Sequence, residues 1–281
     1  VRGCSCRGTA GFAHVSCLAE QAKILVAEAE ENNSDDSQWH RWHTCSLCEQ
    51  NYHGVVRCAL GWACWRTYLG RPETDWTMSS AMSVLGTGLA NENHLEHATS
   101  VKEAELSILR RLGAQEEVIL NVQGNLAITY EALGRLDEAI LIKRDVYSKR
   151  LKLNGEEHEK TLIAANNYAS SLSSPGRFEE AKTLLRKTIP IARRVLGENH
   201  EVTLRIRWIY AEALYRDNGA TFDDLRAAVT SLEDMAQTAR RVFGGAHPIT
   251  KGIENDLQNA RVALGTSEMR EAMAAMTAGD A

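Results

Sequence analysis

The sequence predicts a mainly α protein: an α-solenoid of helix pairs with a small cysteine-rich segment at its N-terminal end. Three observations lead there. Positions through the long C-terminal part recur at a fixed step of 42 residues. Ala, Leu, Glu and Arg dominate from about residue 78 onward, and such side chains lose little rotamer freedom in a helix. All seven cysteines lie within the first 64 residues.

The repeat is read from several positions at once. Gly134 recurs as Gly176, Ala139 as Ala181, Gly155 as Gly197 and Asn125 as Asn167. Ala127 recurs as Ala169 and again as Ala211. Glu156-Glu157-His158 returns as Glu198-Asn199-His200, and a later copy, Gly244 to His247, is displaced by 47. The five extra residues fit a loop insertion around DNGATFDD, residues 217–224. Upstream, Ala98 and Gly113 precede their counterparts by 41 and 42. Recurrence at this period signals a solenoid.

Each unit reads as two helices. In the first, Val122, Leu126, Ile128 and Leu133 fall at roughly helical spacing. A Gly-Arg turn follows at Gly134-Arg135 and Gly176-Arg177, where glycine can take the left-handed conformation that ends a helix. The second helix carries Leu136, Ala139, Ile140, Ile142, Val146 and Leu151. Small residues at Ala139, Ala181 and Ala228 let the two helices approach closely. One pair cannot bury its apolar face, so neighbouring pairs stack. His158, His200 and His247 each follow a second helix and read as loop or capping residues. Asp223-Asp224 suits a helix start, where carboxylates complement the dipole.

The 281 residues are 44% hydrophobic and 25% charged, an ordinary globular balance. The net charge of -5 gives no general attraction to nucleic acid. The longest apolar run, VVRCALGWACW at residues 55–65, is too short for the ~20 residues of a membrane helix. There is no phosphate-binding loop and no nucleophile elbow, and Gly86-Thr87-Gly88 is too short to mean a nucleotide site. No intrinsic catalytic residue is expected.

The cysteines follow the spacing C-x-C-x7-H-x2-C-x27-C-x2-C. Their odd number and close pairing suit metal ligation better than disulfides, which implies a reducing compartment, cytoplasmic or nuclear. The candidate ligands are Cys4, Cys6, His14, Cys17, Cys45 and Cys48, and thiolates with imidazole suit tetrahedral Zn2+. His40, His43 and His53 flank the last pair as alternative donors. Cys58 and Cys64 read as packing residues in the apolar run. The expected organisation is a finger over 1–54, an apolar connector over 55–77, repeats over 78–264 and a tail over 265–281.

Two resemblances sharpen this reading. NNYASSL, NLAITYEALGRLDEAI and GRFEEAKTLLRKTIPIARRVLGENH resemble the tetratricopeptide repeats (TPR) of kinesin light chains, with their 42-residue unit and Leu-Gly-x-x-His ending. That resemblance covers residues 78–264 and implies a groove for a peptide or protein partner. It implies that Asn125 and Asn167 face the groove, where an amide can pair with peptide backbone. The alternative is a bond across adjacent helices, and Ile209 takes the matching position in the third repeat. Lys143, Arg144, Arg186 and Lys187 are candidates to line a basic groove for acidic peptides, or else are solvated surface charges.

CSCRGTAGFAHVSCL and CSLCEQNYHG resemble the middle and last parts of a RING-CH (RINGv) zinc finger, over residues 4–54. The cross-braced topology of that family implies that Cys4, Cys6, Cys45 and Cys48 share one zinc. His14 and Cys17 would then be half of a second site whose C-x2-C lies upstream of Val1, so the sequence reads as cut inside the finger. Such fingers usually act as ubiquitin ligases by docking a ubiquitin-conjugating enzyme. The Trp common soon after H-x2-C is absent here, Trp39 lying much farther on.

Overall fold

A computed structural model describes residue 4 and residues 13–34, 37–173 and 176–279, with side chains to residue 270. Among the described residues there are eleven α-helices and no strand. Two compact units divide the chain, Val1–Ala139 and Ile140–Ala281.

The first unit begins with α1 (Val15–Glu31), followed by a 3-10 turn at Trp39–Trp42 and by α2 (Gly54–Tyr68). The stretch expected as a connector is therefore largely α2, and it packs on α3 (Trp76–Asn91). Glycines make that contact close. A Cβ on Gly88 would lie 2.9 Å from the Arg57 carbonyl oxygen, and one on Gly61 would lie 3.1 Å from the Leu85 Cα. Gly86-Thr87-Gly88 is thus a packing feature of α3. The core here gathers Ala22 and Val26 of α1, Trp42, Cys64 and Tyr68, and Ala81 and Val84 of α3. Asp75 caps α3, its carboxylate accepting from the Thr77 N–H at 2.9 Å. The helices α4 (Leu95–Arg111) and α5 (Glu116–Ala132) complete this unit, and α6 (Leu136–Asn154) begins in it.

The second unit holds the rest of α6, then α7 (Glu159–Ser173), α8 (Phe178–Leu196), α9 (Glu201–Arg216), α10 (Phe222–Phe243) and α11 (Pro248–Gly279). Sequential helices pack as hairpins, α7 on α8, α8 on α9, α9 on α10 and α10 on α11. Ala139, Ala181 and Ala228 are fully buried, as the close-approach argument requires. Gly134 and Gly176 have φ of 79° and 74°, and both stand between paired helices. Of the five residues that lengthen the last step, three extend α10, which has 22 residues against 19 in α8. The expected loop insertion is therefore mostly helix.

The recurring histidines are caps. His200 is the N-cap of α9, its Nδ1 accepting from the Val202 N–H at 3.3 Å. His158 does the same for the Lys160 N–H at 3.1 Å, and His247 for the Ile249 N–H at 3.3 Å. An imidazole nitrogen here replaces the usual hydroxyl or carboxylate acceptor. Thr221 and Asp224 form a capping box at the start of α10, which gives Asp224 the helix-start role read from sequence.

Candidate functional site

Two regions carry chemistry, a thiol cluster in the first unit and polar positions on the repeat helices. The thiol cluster starts from a tight loop. The Thr44 and Asn51 backbones bridge antiparallel, and the Cys45 N–H donates to the Gln50 carbonyl at 2.9 Å. The Glu49 N–H returns to the Cys45 carbonyl at 2.9 Å, with Glu49 at φ 54°. This turn aims the Leu47 N–H at the Cys45 Sγ, 3.4 Å away. Cys4, Cys45 and Cys48 meet there, their sulfurs all within 4.8 Å of one another. Val56 and Leu60 of α2 and Val15 and Leu18 of α1 back the cluster. The two helices therefore set its position.

The electrostatics favour a thiolate. Burial pushes the Cys45 thiol up, but the Cys48 and Leu47 N–H groups and the neighbouring thiols outweigh it and bring Cys45 down to about 6. The Tyr52 phenol is pushed up, by burial first and then by the Cys45 charge beside it. Thiolates around a zinc ion at ~2.3 Å stand roughly 3.8 Å apart, so the spacing of the three sulfurs fits. Cys6, the expected fourth ligand, lies outside the described residues. His14 and Cys17 are a separate pair at the start of α1, with Nδ1 and Sγ 3.9 Å apart and both side chains exposed. His43 is engaged with Asn51 and Thr44 through Nδ1, at 3.1 Å in each case. Of the two packing cysteines, Cys64 is fully buried and Cys58 is half-buried.

The candidate peptide-contacting residues separate by burial. Asn125 on α5 has an accessible side chain, while its backbone carbonyl accepts from Lys102 and Thr129. Asn167 on α7 is half-buried and accepts from the Asn166 amide at 3.1 Å, so part of its bonding capacity is used within its own helix. Arg144 is exposed near Glu180. Arg186 donates to the Tyr210 hydroxyl at 3.3 Å, and Lys187 lines a 240 Å³ cleft with Tyr147, Glu156 and Thr161. Lys143 departs from the open basic groove expected of it, because it is only 6% exposed. The reason is register. Lys143 follows Ala139 by four residues, as Leu185 follows Ala181, and Leu185 is fully buried.

The same register explains polar residues that sequence reasoning passed over. Lys102 matches Lys143 and Leu185, and Glu105 matches Val146 and Thr188, all of them buried. Polar groups thus occupy core positions on α4. The Lys102 Nζ donates to the Asn125 carbonyl at 3.2 Å and to the Thr129 hydroxyl at 2.7 Å. One oxygen of Glu105 accepts from Ser83 at 2.8 Å and from Ser79 at 3.2 Å. The other has no hydrogen-bond partner among the described residues. Burial pushes the Glu105 carboxyl up to about 7 and the Lys102 ammonium down to about 8. Counting offsets from Ala98 in each repeat would have found both residues.

With this geometry in place, comparison with known proteins bears on the fold. The tetratricopeptide repeat family model matches residues 118–194. No curated protein sequence matches the chain. The fold is similar to a crystal structure of nearly identical TPR-like repeats from a Podosopora anserina putative kinesin light chain. It has 19% identity and a TM-score of 0.54, and the match covers 83% of this chain and 99% of that one. It is also similar to a Rap protein complexed with Competence and Sporulation Factor. There the identity is 16% and the TM-score 0.52, over 88% of this chain and 65% of that one. The fold class expected from sequence, an α-solenoid of TPR helix pairs, is the one observed.

Proposed function

We propose that the chain is a protein-interaction scaffold whose repeats bind a peptide or protein partner and whose N-terminal segment is a zinc finger. The observation that carries the first half is the tetratricopeptide match over residues 118–194. A protein of similar fold is complexed with Competence and Sporulation Factor, which supports a partner-binding role for helix pairs of this kind. Asn125 and Asn167, with Arg144, Arg186 and Lys187 also on the repeat helices, are the residues assigned to the partner. Doubly substituting Asn125→Ala and Asn167→Ala tests the assignment by affinity for a captured partner peptide and by helical content. Weaker binding with intact helices supports it. Unchanged affinity removes those residues from the site.

The zinc reading rests on three sulfurs within 4.8 Å and a Cys45 thiol held at about 6. Cys4, Cys45 and Cys48 are the ligands, with Cys6 as the fourth by spacing. One tetrahedral zinc would tie the chain start to the Cys45 loop and so stabilise a segment too small for its own core. Thiolate ligation also requires a reducing compartment, cytoplasm or nucleus.

A second reading is a RING-CH-type ubiquitin ligase in the complete protein, with the repeats selecting substrate. Grouping of Cys4 with Cys45 and Cys48, while His14 and Cys17 pair apart from them, supports it through the cross-braced pattern. The finger then acts by docking a ubiquitin-conjugating enzyme and needs no catalytic residue of its own. Autoubiquitination of the complete protein across a panel of conjugating enzymes tests it. Product with one of them supports the ligase reading, and absence of product with all of them removes it.

A further inference from the structure

A cation taken out of water usually finds carboxylates, and two residues of this chain show the ordinary outcome. Lys182 is paired with Asp217 at 2.7 Å and with Glu179 at 2.5 Å. The largely buried Arg207 is paired with Asp234 at 2.6 Å and with Glu198 at 3.3 Å. Arg57 on α2 departs from this pattern. It is 9% exposed, and among the described residues its guanidinium makes one hydrogen bond, from Nη1 to the His43 carbonyl at 3.0 Å. No carboxylate stands within ion-pair distance of it among those residues. Burial alone brings it down to about 10, with no acid close enough to raise it again, so it is still charged at neutral pH. A guanidinium carries five N–H donors, and most of these are unused. Its remaining nitrogens are not among the unpartnered atoms that the fold seals from solvent. They meet solvent in a cleft of about 340 Å³, which Arg57 lines where α2, α3, α4 and α5 come together beside the 3-10 turn.

Glu105 borders the same cleft but adds little charge to it. One of its oxygens is taken by Ser79 and Ser83, the other is sealed from solvent, and burial pushes the carboxyl up to about 7. Much of the rest of the wall is apolar: Trp39 of the 3-10 turn, Val84 of α3, and Val118 and Val122 of α5. The cleft thus joins one cationic fork to a compact apolar lining. Its volume is at the lower end of the ~300–1,000 Å³ found for ligand pockets, which suits a small molecule rather than an extended chain. Charge narrows the ligand further. One guanidinium in a poorly solvated wall balances one negative charge, whereas a phosphate monoester carries about two and would be left half matched. With Nη1 committed to His43, Nε and Nη2 still offer two parallel donors, the side-on fork that fits a carboxylate.

We propose that this cleft binds a small monocarboxylate with a compact apolar body. Its carboxylate is held by Nε and Nη2 of Arg57, and its body lies against Trp39, Val84 and Val122. The site is independent of the partner-binding role of the repeats. It gives the first unit a small-molecule ligand of its own, beside the cysteine-rich segment.

Isothermal titration calorimetry on the full chain at pH 7.5 decides the matter, with hexanoate, benzoate and phenylacetate as probes. At least one should bind saturably, with a Kd below about 1 mM. The matching amide keeps the shape and loses the charge, so it should bind at least about tenfold more weakly, the loss expected for charged hydrogen bonds. Benzylphosphonate, similar in shape to phenylacetate but more highly charged, should bind no more tightly than phenylacetate. Arg57→Lys keeps the charge but not the fork, and should cost the best acid about tenfold while helical content stays unchanged. Val118→Trp fills the cleft without altering Arg57 and should abolish binding. Absence of saturable heat with all three acids overturns the proposal. So does equal binding of acid and amide, or an affinity that neither variant changes. Tighter binding of benzylphosphonate also overturns it, since the site would then be one for phosphoryl groups.

Discussion

Glu105→Gln is the perturbation with the most to say about this structure. The carboxyl is 2% exposed, and burial pushes it from its ordinary 4.5 to about 7. Between those values the folded chain holds a proton that the unfolded chain has released. Stability contributed by that proton is complete below 4.5 and is lost as pH rises through about 7. At about 1.36 kcal/mol per pH unit the change is worth roughly 3 kcal/mol. Glutamine stays neutral and still offers an oxygen to Ser79 and Ser83. The variant should therefore match wild type closely near pH 4.5 and exceed it by up to roughly 3 kcal/mol at pH 8. That figure is an upper bound, because removing the Glu105 charge also removes the favourable field on the Lys102 ammonium. Five of the six tryptophans lie in the first unit, so urea unfolding followed by tryptophan fluorescence reports on it. Parallel pH profiles for the two proteins would refute the reasoning. A variant that loses ground to wild type as pH rises would refute it equally.

Other outcomes are expected. Purified protein should hold about one zinc, lost when Cys45 and Cys48 are both replaced by serine, as read by elemental analysis; zinc-free wild type at neutral pH would remove the assignment. Gly88→Ala should destabilise the first unit, because its Cβ would meet the Arg57 carbonyl oxygen at 2.9 Å, whereas Gly124→Ala in α5 meets nothing within 4 Å. The second change should stabilise by about 0.5–1 kcal/mol through helix propensity, and thermal melting separates the two. His200→Ala should cost about 0.5–2 kcal/mol by leaving the Val202 N–H uncapped; an unchanged melting temperature would mean that water replaces the imidazole.

The sequence by itself determined the repeat. Side chains at fixed offsets must pack against the same neighbour in every copy, so the repeat alone assigns Ala139, Ala181 and Ala228 to helix contacts, and all three are fully buried. The glycine turns and the capping histidines were legible for the same reason, since backbone groups at a helix end have the same needs in each repeat. Cysteine spacing likewise pointed to a shared ligand group, and Cys4 does meet Cys45 and Cys48. Tertiary structure alone decided the rest. Lys102, Lys143 and Glu105 look like surface charges by type, and only burial on α4 and α6 makes them core groups. The connector became α2 because Gly61 and Gly88 open a close α2–α3 packing surface that no local pattern announces. The cleft between Arg57 and Glu105 joins residues 48 positions apart. One Glu105 oxygen lacks a hydrogen-bond partner among the described residues because helix packing seals it from water, and a linear chain does not encode that exclusion at any one position.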